Sequence, residues 1–109
     1  MLKTNEFKEW LEVCEKNEKV FVGDEKSATT YYTQTYGISE VKVSEDCVKV
    51  FYNVDAKVTM KAGAILKSLE GVEDDRIIKV FEVDAEEGKE VNKMFGCQNL
   101  YTDITILTF

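Results

Sequence analysis

Carboxylates are the most concentrated chemical resource in this sequence. Between Glu70 and Glu90, nine acidic residues (70, 73, 74, 75, 82, 84, 86, 87 and 90) stand against three basic ones (76, 79 and 89). That local balance of −6 nearly equals the formal net charge of the whole chain, −7. Clustered carboxylates can bind a hard divalent cation, but Glu73-Asp74-Asp75 lacks the ligand spacing and central glycine of a calcium loop. Carboxylates spread over a surface instead steer and dock a basic partner. A solvated turn followed by acids at a helix N-terminus would need no partner. The docking reading selects Glu73, Asp74, Asp75, Glu86 and Glu87. Duplex DNA carries one charge per about 1.7 Å of axis, and the charge here is modest for a mimic of it.

Tyrosine is the second resource. Thr29 to Tyr36 reads Thr-Thr-Tyr-Tyr-Thr-Gln-Thr-Tyr, and Tyr31, Tyr32 and Tyr36 offer contact area at low entropic cost. They form a second candidate partner-binding surface. Tyr32, Gln34, Tyr36 and Asn53 could alternatively wall a small-ligand pocket, which is mostly apolar with a few placed polar groups.

Absences narrow the chemistry further. The chain has no histidine, so it lacks the commonest general base, the commonest metal ligand and every nucleophile–histidine arrangement. Cys14, Cys47 and Cys97 are far apart and in no Cys-x-x-Cys pair, which argues against a disulfide framework or a zinc site. Cys97 follows an expected helix C-terminus, where the dipole disfavours thiolate. The glycines form no phosphate-binding loop. No catalytic residue, metal or cofactor is expected. Arg76 is the single arginine among fourteen basic residues, so phosphate and guanine recognition are poorly provided for and direct nucleic-acid binding is not expected.

These groups need elements to hold them. Phe7, Trp10, Leu11 and Cys14 recur at helical spacing, predicting a first helix capped by Thr4 or Asn5 and running to about Asn17, with Trp10 anchoring it to a sheet. Lys19 to Val22 is a short strand. Thr29 to Tyr36 reads as an edge strand or ordered loop, whose edge could pair with a twin in a homodimer. Val41 to Val54 alternates apolar and polar residues on both sides of Ser44-Glu45-Asp46, predicting a β-hairpin with Val48, Val50, Tyr52 and Val54 on one face. Val58, Ala62, Ile65, Leu66 and Leu69 predict a second helix stopped by Gly71. Ile77 to Val83, apolar on nearly both faces, is an interior strand. Asp84-Ala85-Glu86-Glu87 resembles a capping box opening a third helix to about Phe95, closed by Gly96. Tyr101 to Phe109 is a last strand.

The expected architecture is α+β: a single small domain over residues 1–109, with a mixed or mainly antiparallel sheet of about five strands and two to three helices. No internal repeat is legible. No apolar run approaches a membrane span and no apolar leader opens the chain, so a cytoplasmic location is expected. The expected function is a small, non-catalytic, acidic protein-binding module docking a basic protein. That profile is shared with inhibitors of host proteins made by phages and mobile elements. The alternative is a small-molecule or nucleotide binder acting as a homo-oligomer.

Overall fold

In the computed structural model, residues 1–23, 35–55, 58–98 and 103–109 are described. The elements are helix α1 (Thr4–Val13), strands β1 (Lys19–Gly23), β2 (Thr35–Val43) and β3 (Cys47–Asn53), helix α2 (Ala62–Ser68), and strands β4 (Ile77–Glu82), β5 (Lys89–Glu90), β6 (Lys93–Gln98) and β7 (Asp103–Thr108). The α+β class with a mixed sheet holds, but the sheet has seven strands rather than about five, with two helices among the described residues. No helix among them is long and apolar enough to cross a membrane.

The strand order is β5-β4-β3-β2-β1-β7-β6. β5 and β6 are its two ends, yet only Val91 and Asn92 separate them in the chain. Three peptide steps reach at most about 11 Å, whereas six flat strand spacings would total about 29 Å. The sheet must therefore roll until its edges meet. Backbone bonds show the closure: the Val91 N–H donates to the Ile78 carbonyl at 3.3 Å, and the Asn92 N–H donates to the Thr108 carbonyl at 2.8 Å. One two-residue segment thus joins β4 to β7.

The rolled sheet gathers alternate residues on its inner face. Val20, Val22, Ile38, Val48, Val50, Ile78, Val80, Val91 and Leu107 are buried there with Phe7 and Leu11 of α1 and Ala62, Ile65 and Leu69 of the α2 segment. Trp10 anchors α1 as the helical stripe implies: its indole N–H donates to Thr105 Oγ1 at 2.9 Å. α1 begins one or two residues earlier than expected, with Lys3 as N-cap, and ends at Val13 rather than near Asn17; the Glu6 carboxylate accepts the Lys3 backbone N–H at 3.2 Å. α2 is shorter at its start than its periodicity suggests, and Val58 is exposed. Gly71 ends that region at φ +77°, a conformation that favours glycine. A Cβ on Gly63 would sit 3.2 Å from Lys16. The close approach at this glycine is therefore to the turn after α1.

Two further expectations are corrected. Residues 84–95 contain no helix; they form a turn, β5 and the first half of β6. Asp84 has φ +74°, which is incompatible with the extended backbone of an N-cap. Val91 and Met94 meet the helical spacing but are used by strands, Val91 as part of the closure and Met94 paired with Leu107. The second correction concerns the segment ending at Tyr36. Its described residues, Thr35 and Tyr36, open an interior strand of the sheet and pair with Gly23 and Val22 of β1. Most of that segment, including Tyr31 and Tyr32, falls outside the described residues.

An internal repeat, not legible in the sequence, emerges from the backbone. The first half runs α1-β1-β2-β3 and the second α2-β4-(β5β6)-β7. Lys3, entering α1, bridges Ile77, the first residue of β4. Lys61, entering α2, bridges Lys19, the first residue of β1. The reciprocity extends outward. Ile78 N–H donates to the Leu2 carbonyl and Val20 N–H to that of Met60; Thr4 N–H donates to Arg76 and Ala62 N–H to Glu18; Asn5 N–H donates to Asp74 and Gly63 N–H to Lys16. Each half holds the other's helix entry, as in an isologous two-fold contact. The register slip between Ile38 and Glu40 in β2 matches the break between β5 and β6. At that slip the Thr59 hydroxyl accepts the Ile38 N–H at 2.8 Å and donates to the Val20 carbonyl. In the second half the corresponding bond, Val91 to Ile78, is direct.

Candidate functional site

The acidic residues singled out by sequence fall at two separate places. Glu73, Asp74 and Asp75 lie between α2 and β4, and all three are exposed. Glu86 and Glu87, also exposed, lie beyond the far end of β4. Six strand residues, about 20 Å, separate the two groups. The structure therefore does not bring them together.

It brings a different pair to the first group. Arg76 donates from Nη1 to the Ser44 carbonyl at 2.9 Å, while its Nη2 lies 3.5 Å from Glu73 Oε2. The single arginine thus ties the β2–β3 turn to the α2–β4 turn. Ser44 also closes its own turn, its hydroxyl donating to the Cys47 carbonyl at 2.9 Å. As a result Glu45 and Asp46 join Glu73 and Asp75 around a shallow depression of about 310 Å³, with Arg76 and Ile77 in its wall. Sequence reasoning placed Glu45 and Asp46 in a hairpin turn but had no signal for their neighbours, which lie about thirty positions later. Among the described residues no group of three or more carboxylates is placed to hold a metal ion.

The acidic end continues onto α1. Thr4 N–H and Asn5 N–H bond the carbonyls of Arg76 and Asp74, so the first turn of α1 abuts the acidic turn. The next carboxylates, Glu6 and Glu9, line an open groove of about 560 Å³ whose apolar lining comes from Met1, Leu2, Trp10 and Met94. Asn92 and Lys93 also line it.

The tyrosine expectation is redirected. Tyr36 is half-buried, and its ring stacks on Tyr52 with centroids 5.4 Å apart and planes at 19°. Tyr52 in turn stacks on Phe109 at 5.9 Å, and Lys89 Nζ sits 4.7 Å from the Phe109 ring centroid. Tyr52 and Phe109 are counterparts in the two halves, two residues after Val50 of β3 and Leu107 of β7. Burial first, then the Glu82 carboxylate and Tyr36, push the Tyr52 phenol above its ordinary range. A raised phenol pKa makes the folded state retain its proton longer than the unfolded chain. Stability is then unaffected below about pH 10 and falls as pH rises from there towards the folded value. Ultraviolet titration at 295 nm should show one of the five tyrosines ionising late, and Tyr52→Phe should flatten the alkaline loss of Tm.

The outer face of the sheet carries the opposite charge. Lys42, Lys49 and Lys79 lie side by side across β2, β3 and β4, next to a row made by Glu40, Phe51 and Phe81. Like charges on adjacent strands repel. Here Lys42 is paired with Glu40 at 3.5 Å, and Lys79 faces Glu90 across the β4–β5 ladder. Lys42 and Lys49 also lie over the rings of Phe51 and Phe81, at 5.8 and 5.3 Å. Phe81 is itself covered, since a Cβ on Gly88 would fall 2.4 Å from its ring. These rings support lysine stems and are poorly placed to stack a base.

No family model, curated protein or solved structure matches the chain.

Proposed function

We propose that this domain is a small, non-catalytic protein-binding module whose acidic end docks a basic surface of a partner. The observation that carries this reading is the gathering of Glu45, Asp46, Glu73 and Asp75 at one end by the Arg76 tie. Four exposed carboxylates around one depression raise the local negative potential, steer a basic partner and fix its register. Small size and acidity are also what an inhibitor carried by a phage or mobile element would need to block a host protein, and that narrower role rests on those two properties alone.

The test is affinity capture from lysate of the source organism with nuclease present. A dominant partner should be recovered, be lost at high salt, and bind the variant Glu45→Gln/Asp46→Asn/Glu73→Gln/Asp75→Asn roughly tenfold or more weakly, a loss of about 1.4 kcal/mol or more. Glu86→Gln/Glu87→Gln should bind as the parent does. Unchanged affinity in the four-site variant would remove this surface from consideration.

The stack of Tyr36, Tyr52 and Phe109 favours a second reading, a binder of small planar ligands such as nucleotides. A nucleotide-dependent rise in Tm would select it.

A further inference from the structure

We infer that the groove along α1 receives an apolar anchor side chain of the partner, flanked in the partner by lysine or arginine. The inference rests on the docking reading above and assigns it a second point of contact.

Three observations carry it. The groove is concave and apolar at its base: Leu2 is buried, Trp10 and Met94 are half-buried, and Met1 is 62% exposed beside them. Its α1 side is acidic, through Glu6 and Glu9, and is continuous with the acidic end through the bonds from Thr4 and Asn5 to Arg76 and Asp74. A partner reaching from the carboxylates of Glu73 and Asp75 to the groove meets Glu6 and Glu9 among its lining, which fits basic residues beside the anchor on that side, while Lys93 also lines the groove. Finally, the internal repeat supplies a control. The groove takes Glu6, Glu9 and Trp10 from the first half and Met94 from the second; the corresponding backbone positions of the opposite halves hold Ala64, Lys67 and Ser68, and Val41. The αβββ unit forms with either set, so an acid at the position of Glu9 is not demanded by the fold, whereas Trp10 also anchors α1 through Thr105 and Glu6 accepts the Lys3 N–H. Trp10 does fill space beside Gly96, its ring 3.5 Å from where a Cβ there would lie. The acidic lip has no such packing role at Glu9, which is exposed. An aromatic or aliphatic anchor in a groove ringed by polar contacts is the usual centre of binding energy in an interface, with the charges setting orientation.

Trp10 is the single tryptophan, so its emission reports on the groove it lines, and its indole N–H, bonded to Thr105, reports on any shift of its ring. The probes are two synthetic peptides with identical lysine flanks, one with a central phenylalanine and one with serine in its place. The phenylalanine peptide should bind about tenfold tighter at low salt, shift Trp10 emission to the blue and move its indole resonance, while the serine peptide leaves Trp10 unchanged. Equal affinity for both peptides with Trp10 unmoved would overturn the groove and leave the acidic end standing. Tight, Trp10-shifting binding of the phenylalanine peptide that is unchanged in the four-site carboxylate variant would support the groove and overturn the acidic end. If neither peptide binds at low salt, both readings fall. All three outcomes are read on the parent chain or an exposed-site variant, so none depends on a destabilised core.

Discussion

Replacing Val91 by aspartate is expected to unfold the domain at neutral pH. Val91 is fully buried, its N–H reaches the Ile78 carbonyl, and its own carbonyl accepts the Leu2 N–H at 2.9 Å. It therefore lies where β4, the N-terminal segment and the strand leading to β7 converge. The substitution removes the burial of a valine, about 1.5–3 kcal/mol, and places a carboxylate in the apolar core cluster, at a further cost of several kcal/mol. The sum, about 5 kcal/mol or more, is comparable with the whole stability of a small domain. Asn92→Asp, one residue on and exposed, should change stability by no more than about 0.5 kcal/mol. Circular dichroism and urea unfolding check both. A cooperative, parent-like transition for Val91→Asp would mean that the rolled sheet does not close through this residue.

Phe7→Ala is the second large effect, with an expected loss of about 3–5 kcal/mol. Phe7 is completely buried on the inner stripe of α1, in the same cluster as Leu11, Ile65 and the inner face of the sheet. Removing the ring forfeits its transfer free energy and leaves a cavity that rigid strands on several sides cannot collapse. The urea midpoint should fall while the slope of the transition stays unchanged, the signature of lost stability without a change in surface exposed on unfolding. Glu9→Ala, two residues away on the exposed side, should leave the midpoint near that of the parent. A midpoint for Phe7→Ala within experimental error of the parent would place α1 outside the cooperative core.

What was legible in the chain was local. The β2–β3 hairpin follows from alternation around Ser44-Glu45-Asp46, because side chains on a strand change faces at every residue and a buried face punishes a slip of register. Val48, Val50 and Tyr52 are buried as that alternation requires, while Val54, past the end of β3, is 48% exposed. α1 follows from its apolar stripe, and the stop after α2 from Gly71. The misread segment, residues 84–95, shows the limit of such signals. Its acidic opening and the spacing of Val91, Met94 and Phe95 satisfy a helix and a strand about equally, and a short run cannot be arbitrated by period alone. The positive φ of Asp84 and the closure at Val91 decide it.

By itself, the sequence determined the class, the hairpin, both helices and the acidity, since each depends on residues within a few positions of one another. The tertiary structure alone decided the rest. Rolling of the sheet depends on bonds from one segment to β4 and β7, and the internal repeat lives in reciprocal backbone bonds whose side chains differ, as Trp10 and Ser68 show. The candidate site is of the same kind. The carboxylates of Glu45 and Asp46 meet those of Glu73 and Asp75 only because one guanidinium spans two turns that are distant in the chain, and no local pattern encodes a contact of that range.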